Sequence, residues 1–186
     1  MDRDRKILDT AAAVFYEKGF HGVGVDELGT RAGLSGPALY RHFSGKDEIL
    51  ATLFNEALDE LLSATAPVYE DPARDLERLI RHHVAFAVEN RHLVNVYQRE
   101  DRSLVDPWER HFDRRRRQYI ERWEAIVSRC FPHATLAEIA AGTQACLGVI
   151  FSIAYWPAKL AEMPGLAGLV ADFARNGLTA LAATSA

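Results

Sequence analysis

Apolar residues recur at intervals of three and four positions along nearly the whole chain of 186 residues, and no segment alternates as a strand does. This period is typical of amphipathic helices that bury one face. The first helix is predicted from about Arg3 to Lys18. Its apolar stripe consists of Ile7, Leu8, Ala11, Val14 and Phe15. The pattern as a whole predicts an all-α protein of about nine helices.

Two short helices are predicted next, and a single glycine, Gly33, separates them. The earlier one runs from about Asp26 to Ala32. The later one begins after Ser35, which can cap it, and Pro37 fits its first turn because the N–H that proline lacks has no helical partner there. Helices of two turns are not stable alone in water, so neighbouring helices must support this pair. Helix, tight turn and helix together are typical of the DNA-binding helix-turn-helix motif.

The segment from Pro67 to Pro72 combines two prolines with polar residues, a composition that favours a boundary between two parts of the chain. We predict a helix-turn-helix DNA-binding domain at residues 1–46 and a larger helical domain at residues 47–186. A helix from about 46 to 64 is expected to connect the two domains.

The composition is that of a globular protein, with 48% hydrophobic and 26% charged residues. No apolar run reaches the roughly 18–20 residues that a membrane-spanning helix needs, and the charged N-terminus does not resemble a secretory signal. We therefore expect a cytoplasmic protein without a membrane partner. The formal net charge of −4 argues against nonspecific binding of nucleic acid, but it is compatible with a protein that places a few basic residues well.

The two cysteines, Cys130 and Cys146, lie in helical segments without C-x-x-C spacing, which indicates neither a zinc site nor a disulfide framework. The segment from Glu89 to His92 has the E-x-x-H spacing of di-iron bundles, but such a site needs a second copy and further glutamates. We therefore predict no metal, no cofactor and no enzymatic activity. A bundle enzyme and a helical small-molecule carrier without DNA binding are the alternatives to a DNA-binding protein.

The second short helix carries the candidate DNA contacts. Small residues at its start allow it to approach the edge of a groove closely. Tyr40 and His42 can bond phosphates, while Arg41 can reach a phosphate or a guanine edge. Lys46, at the head of the next helix, adds a charge suited to a phosphate. The predicted DNA-binding residues are Gly36, Pro37, Ala38, Tyr40, Arg41, His42 and Lys46.

The segment from about Ile7 to Leu53 resembles the TetR family of one-component bacterial transcriptional regulators. The resemblance is carried by FYEKGF at the end of the first helix and by VDELGTRAGLSGPALYRHFSGKDEIL after it. It implies that the residues named above contact operator DNA and that a dimer engages two half-sites. Gly24, Gly29 and Gly45 depart from the family pattern, which usually has a Ser or Thr cap, an alanine and a small polar residue at these positions.

The long helix that begins near Trp108 has an aromatic face that includes one charged residue, Arg115. A charge on such a face costs free energy unless it is paired. Either Arg115 binds an anionic ligand, or it pairs with Glu89 or Glu100 or extends its guanidinium to solvent. Aromatic residues with a few polar groups are typical of small-molecule sites. The predicted ligand-binding residues are His83, Phe86, Tyr97, Gln98, Trp108, Phe112, Arg115, Tyr119, Trp123, Phe151 and Tyr155.

The helices after the helix-turn-helix motif resemble the ligand-binding and dimerisation domain of the same family. The segments HLVNVYQRE, RSLVDPW, RRRRQYIERW and SIAYWP are similar to a subgroup that controls lipid or steroid catabolism. Members of that subgroup often respond to acyl-CoA thioesters. The resemblance implies a repressor that a small-molecule effector, such as an acyl-CoA or another anionic lipid-derived metabolite, releases from operator DNA.

Small residues recur along the eighth predicted helix, where they allow a second helix to approach closely. These residues are Gly142, Ala145, Gly148 and Ser152. The last helix, from about Leu166 to Ala183, is more apolar than a surface helix requires. We expect these last two long helices to pack against their copies in a homodimer, as a four-helix bundle. The alternative is that both are ordinary buried helices.

Overall fold

The structure is a computed structural model that describes residues 3–63, 65 and 69–182, and this described part contains ten α-helices and no strand. The helices are α1 (Arg3–Lys18), α2 (Val25–Ala32), α3 (Gly36–Leu39), α4 (Lys46–Ser63), α5 (Pro72–Glu89), α6 (Arg91–Glu100), α7 (Trp108–Cys130), α8 (Leu136–Phe151), α9 (Ala158–Ala161) and α10 (Leu166–Leu178). Short 3-10 segments cover Asp101–Ser103, Ser152–Tyr155 and Thr179–Ala182. The prediction of an all-α fold is confirmed, and the additional helix is the single turn α9.

The chain forms two compact units. Unit 1 contains the residues up to Leu58 together with His92–Arg115, and unit 2 contains Asp59–Arg91 and the residues from Arg116 onward. This division differs from the predicted domain boundary after residue 46, because most of α6 and the start of α7 belong with the N-terminal helices. Part of the predicted boundary segment from Pro67 to Pro72, and Ala183 at the predicted end of the last helix, lie outside the described residues.

The core of unit 1 is built on the stripe that the sequence predicts for α1. All five predicted residues of that stripe are buried, α2 packs against α1, and α3 packs against α2. Burying one large aliphatic or aromatic side chain stabilises a fold by about 1.5–3 kcal/mol relative to leaving it exposed, so the short helices gain their stability from these contacts. The other core residues of unit 1 include Leu28, Leu39, Phe43, Ile49, Leu50, Leu53 and Phe54.

Glycines shape the turn between α2 and α3. Gly33 ends α2 with a φ of 76°, in the left-handed region that favours glycine, and its N–H donates to the Thr30 carbonyl. A Cβ added at Gly29 would lie 3.3 Å from the Leu34 carbonyl oxygen, so α2 approaches the turn closely. Gly24 caps α2 without a side-chain hydrogen bond, as its departure from the family pattern implies.

Unit 2 is organised around α5, α8 and α10, which pack against one another. Thr135 and Glu138 form a reciprocal capping box at the start of α8. A Cβ added at Gly142 would lie 3.0 Å from a Leu181 methyl carbon, so this glycine contacts its own chain. Of the predicted small-residue stripe, Gly142 therefore serves packing within unit 2, whereas Ala145 and Gly148 are exposed.

A buried carboxylate joins the start of α5 to the end of α7 within unit 2. Asp75 accepts the Tyr69 backbone N–H at 2.9 and 3.0 Å and the Arg129 guanidinium at 2.9 Å, and it pairs with Arg78. Burial alone would raise the pKa of Asp75, but the Tyr69 N–H and the two arginines outweigh it and lower the pKa. The carboxylate is therefore a charged, fully bonded element of the core.

The helix α8 and the turn after it, Leu136–Tyr155, have a mean hydropathy of 1.6 and are long and apolar enough to cross a membrane by length and composition alone. This corrects the expectation that no segment has that character. A helix that packs within a folded unit meets the same criterion, and α8 packs against α5 and α10. Only 33% of the segment is buried, so much of its apolar surface has no cover within the described chain.

Candidate DNA-binding surface and effector sites

The turn and the short helix α3 form one hydrogen-bonded piece. The Leu34 N–H donates to the Gly29 carbonyl at 2.8 Å, and the Ala38 N–H donates to the Ser35 hydroxyl at 3.3 Å. Beyond Leu39, further backbone hydrogen bonds continue the turn to Phe43. Ser35 thus caps α3 as the sequence predicts, and the arrangement of α2, turn and α3 is that of a helix-turn-helix.

The predicted DNA-binding residues on α3 differ in exposure. Pro37, Tyr40 and Arg41 are exposed, with 55% of the Tyr40 surface accessible, and Gly36 and His42 are partly exposed. Ala38 is buried, which corrects the prediction that it lies at the surface. It lies beside the buried Leu39 on the short helix α3, which packs against α2. The DNA contacts themselves remain predictions.

The predicted phosphate contact Lys46 has partners within unit 1. Its ammonium donates to the carbonyl oxygens of Phe20 at 3.0 Å and Val23 at 3.1 Å, and it lies 4.4 Å from the centroid of the Phe20 ring. Two of its three donors therefore hold the loop between α1 and α2. His42 is also engaged, because its Nδ1 lies 2.6 Å from an Asp4 carboxylate oxygen.

The same loop and the end of α1 are held by residues of α6 and of the 3-10 segment after it, which sequence reasoning missed. Glu100 accepts the Phe20 N–H at 3.2 Å, and the His21 ring nitrogen lies 3.0 Å from the Ser103 hydroxyl. The Tyr16 and His92 rings stack with their centroids 4.1 Å apart. Nothing in the helical period of α6 identifies Glu100 as a buried anchor, because its partner lies 80 residues earlier in the chain.

The predicted ligand-binding residues of unit 1 gather around what we call the Phe54 cluster, made of Phe54, Tyr97 and Phe112. The Phe54 ring centroid lies 5.5 Å from that of Tyr97 and 5.4 Å from that of Phe112. Arg115 donates to the Asn55 side-chain oxygen at 2.8 Å. The neutral side-chain amide of Asn55 is thus one partner of Arg115. The sequence analysis considered an anionic ligand, a glutamate or solvent for this arginine, but not an amide. The remaining predicted residues of unit 1 are partly exposed, and they are Gln98 and Trp108.

The predicted residues of unit 2 gather around what we call the His83 cluster, made of His83, Tyr119, Trp123 and Phe151. The Tyr119 hydroxyl lies 3.0 Å from His83 Nδ1. The His83 ring centroid lies 5.8 Å from that of Trp123 and 5.3 Å from that of Phe151. His83 and Trp123 have no accessible surface. The sequence predicts one aromatic site, and the structure distributes its residues between the two units.

Two other predicted ligand-binding residues of unit 2, Phe86 and Tyr155, differ in exposure. Phe86 is buried, as a lining or core residue would be. Tyr155 is 58% exposed, which corrects its assignment to an enclosed aromatic site. The chain changes to 3-10 geometry at Ser152–Tyr155 and buries Ile153 and Ala154 instead, so the face that the helical period assigns to Tyr155 is shifted.

The His83 cluster is uncharged at neutral pH. Burial, with a smaller contribution from the neighbouring His82, lowers the pKa of His83 to about 3. Burial raises the pKa of the Tyr119 hydroxyl, and it raises the pKa of the nearby Cys146 thiol to about 12. The imidazole is therefore neutral, and the phenol and the thiol keep their protons.

Buried polar atoms in and beside the His83 cluster have no hydrogen-bond partner among the described residues, and they include His83 Nε2, Trp123 Nε1 and Thr143 Oγ1. The Trp123 indole contacts the Tyr119 hydroxyl and offsets part of the rise in its pKa, although the indole N–H lies outside ideal hydrogen-bond geometry. Buried polar groups in native proteins usually have partners, so these atoms leave hydrogen-bonding capacity unused within the described residues.

An open groove of about 540 Å³ lies along α5 within unit 2. Its lining residues are Tyr69, Arg74, Glu77, Arg78, Arg81 and His82. The arginines already have partners, since Arg74 lies 4.3 Å from the Tyr69 ring centroid and Arg81 pairs with Glu77. This groove is therefore a weaker candidate for an effector site than the His83 cluster. Within the described residues, no group of three or more His, Cys, Asp or Glu side chains is arranged to hold a metal ion.

Two family models match the chain. One, described as bacterial regulatory proteins of the tetR family, matches residues 7–53. The other, described as the tetracyclin repressor-like C-terminal domain, matches residues 69–157. Together they cover the helix-turn-helix motif and most of the helices after α4.

Named relatives are similar to the chain over part of their length. The HTH-type transcriptional repressor KstR2 of Mycobacterium tuberculosis is 30% identical over 130 residues, which are 68% of this chain and 65% of that protein. The HTH-type transcriptional activator FasR of Mycolicibacterium smegmatis is 35% identical over 78 residues, 42% of this chain and 36% of that protein. The chain thus spans between about a third and two thirds of these relatives.

A solved structure is similar over nearly its whole length. The TetR family transcriptional regulator PfmR of Thermus thermophilus superposes with a TM-score of 0.80 at 27% sequence identity. The match covers 92% of this chain and 96% of that one.

We predict that Lys46→Met lowers the free energy of unfolding by about 1–2 kcal/mol, because two carbonyl oxygens of the α1–α2 loop lose their donor. Urea denaturation followed by circular dichroism measures this change. Lys159→Met, which removes an exposed lysine from α9, serves as the control and should leave the stability unchanged. An unaltered unfolding midpoint for Lys46→Met would show that the ammonium has no structural role.

Proposed function

We propose that this chain, which belongs to the TetR family of bacterial regulatory proteins, binds operator DNA as a homodimer and releases it when a small-molecule effector binds. The observation that carries the proposal is the helix-turn-helix of α2 and α3, held in unit 1 with Pro37, Tyr40 and Arg41 exposed. The relatives named above are transcriptional regulators, which supports a non-enzymatic function.

The exposed side of α3 suits a DNA major groove. Pro37 and the adjacent Gly36 add little bulk at the N-terminal end, so this end can approach base edges closely. The Arg41 guanidinium can bind a phosphate or the O6 and N7 atoms of guanine, and the Tyr40 hydroxyl can donate to a phosphate. Lys46 contributes by fixing the loop, and its third donor is available for a phosphate.

A homodimer through α8 and α10 accounts for the uncovered apolar surface of unit 2. Large apolar side chains on these helices and the turn after α8 are exposed, and they are Val149, Tyr155, Leu169 and Phe173. A Cβ added at Gly148 would meet nothing within 4 Å of its own chain. A second helix can therefore approach α8 at Gly148, and two copies of the face form a four-helix bundle.

We propose a lipid-derived effector, with an acyl-CoA or a similar metabolite as the class that the subgroup resemblance implies. The aromatic residues of the Phe54 and His83 clusters suit an apolar effector with few polar groups. Release from DNA requires that the effector bind more tightly to a dimer conformation that does not fit the operator. Because α4 and α7 contribute residues to both units, they can transmit that change.

Repression is the mode of regulation that we favour, because it is the common mode of the family. KstR2, which matches the larger share of the chain, is named as a repressor, whereas FasR is named as an activator. The protein acts as a cytoplasmic regulator in either mode, since operator DNA is its target.

We predict that Tyr40→Phe and Arg41→Gln each weaken operator binding by about 1–2 kcal/mol, the free energy of a hydrogen bond to a charged phosphate. Fluorescence anisotropy with DNA from upstream of the protein's own gene measures the loss at constant salt. Both side chains are exposed, so folding should be unchanged. Arg117→Gln, at an exposed arginine of α7, is the matched control, and full affinity in both α3 variants would refute the assignment.

We predict that Gly148→Trp weakens dimerisation at least tenfold, because overpacking costs about 1–3 kcal/mol and the two-fold axis doubles each contact. The protomer should still fold, since a Cβ at this position meets no atom of its own chain within 4 Å. Analytical ultracentrifugation measures the dissociation constant. Leu136→Trp is the control because Leu136 is 85% exposed and lies on another side of α8. An intact Gly148→Trp dimer would place the interface elsewhere.

A further inference from the structure

The imidazole of His42 has one nitrogen bonded within the protein and one open to solvent. Its Nδ1 lies 2.6 Å from a carboxylate oxygen of Asp4, near the start of α1. Its Nε2 has no hydrogen-bond partner within the part of the chain that the structure describes, and it remains accessible to solvent. His42 directly follows the exposed Tyr40 and Arg41, so its Nε2 is available beside two residues that we propose to contact DNA.

The contact with Asp4 determines which nitrogen of a neutral His42 carries the proton. An ionised carboxylate can only accept hydrogen bonds, so the Nδ1 that bonds Asp4 must carry an N–H. A neutral imidazole has one N–H, and its Nε2 is then an acceptor. The oxygens of a DNA phosphate are also acceptors. A neutral His42 therefore cannot bond a phosphate through its open nitrogen, whereas an imidazolium donates to Asp4 and to a phosphate at the same time.

Charge leads to the same requirement. The Asp4 side chain is half exposed, so a phosphate that approaches the other edge of the His42 ring also approaches a carboxylate. Two negative groups repel each other, and a positive ring between them turns this repulsion into two attractions. Protonation of His42 thus satisfies the hydrogen bonds and the charges of the contact together.

Other charged groups on the helices around this turn have different positions. Arg41 is exposed, the Lys46 ammonium at the head of α4 donates to carbonyl oxygens of the α1–α2 loop, and the Lys6 ammonium of α1 lies beside Gly33. The Asp26 carboxylate of α2 lies beside Gly36. Asp4 is thus the charged group that forms a hydrogen bond with the His42 ring.

We propose that Asp4 holds His42 in the tautomer that cannot donate from Nε2, so that His42 contacts an operator phosphate only after it binds a proton. Operator binding by the dimer then takes up a proton from solvent at each half-site, and dissociation returns it. The proposal rests on the proposed operator-binding function and assigns Asp4 as a positioning residue for the DNA contact of His42.

The proposal fixes the direction of the pH dependence. Because the protonated ring binds the phosphate, a bound proton and bound DNA favour each other, and operator affinity falls as the pH rises. Histidine is the side chain that normally changes charge between pH 5 and 8, so the affinity of the dimer should be at least about tenfold higher at pH 6 than at pH 8. Fluorescence anisotropy at constant ionic strength measures it with the full chain and DNA from upstream of its own gene.

Variants separate this proton from the other titrating groups of the protein. His42→Gln carries an amide N–H at every pH, so the change between pH 6 and 8 should shrink to less than about threefold. Asp4→Asn should have the same effect, because its amide can donate to Nδ1 and leave the N–H of the neutral ring on Nε2. Asp4→Glu keeps the carboxylate and should keep the pH dependence. His133→Gln, at an exposed histidine between α7 and α8, is the control and should also keep it.

An operator affinity of the wild-type chain that does not change between pH 6 and 8 would overturn the proposal. An undiminished pH dependence in folded Asp4→Asn or in folded His42→Gln would do the same. If His42→Gln does not fold, Asp4→Asn decides, since it alters a half-exposed side chain. Operator binding without pH dependence refutes only the role of the proton, whereas no operator binding at any pH refutes the proposed function and this proposal with it.

Discussion

The loop between α1 and α2 is held by two opposite charges, and the position of the helix-turn-helix within unit 1 depends on them. Lys46 donates to the Phe20 carbonyl, and Glu100 accepts the Phe20 N–H, so both backbone groups of one residue are fixed. The Phe20 ring is buried and meets Phe15 edge-on at 5.3 Å. The loop leads directly into α2. The fixed loop therefore sets the orientation of α2 and α3, because helices this short are not stable alone.

This arrangement makes most of α6 part of the unit that holds the helix-turn-helix. The Tyr16–His92 stack joins α6 to the end of α1, and the contact of His21 with Ser103 joins the 3-10 segment after α6 to the loop. The core of unit 2 contains buried polar atoms at the His83 cluster that have no hydrogen-bond partner among the described residues. Buried polar groups in native proteins usually have partners, so these atoms leave hydrogen-bonding capacity unused.

The sequence predicts the helices and their buried faces because apolar residues at helical spacing form the side of each helix that packs into the core. The α1 stripe, the Ser35 cap and membership of the TetR family were all recognisable from residues and spacing. The partners of polar side chains were not, because they lie far away in the chain. Lys46 binds carbonyls more than 20 residues earlier, and Arg115 binds Asn55, 60 residues earlier. Tyr155 was misplaced because the chain changes to 3-10 geometry at Ser152–Tyr155. Ala38 was misplaced because a helix as short as α3 packs most of its residues against α2.

The central claim, that the chain is a dimeric operator-binding regulator, is tested most directly by DNase footprinting with the full protein on DNA from upstream of its own gene. The account predicts a discrete protected region with two related half-sites whose centres lie about 34–36 Å apart or a multiple of that distance. Protection that never becomes discrete at any protein concentration, or a footprint covering a single unrepeated half-site, would contradict it.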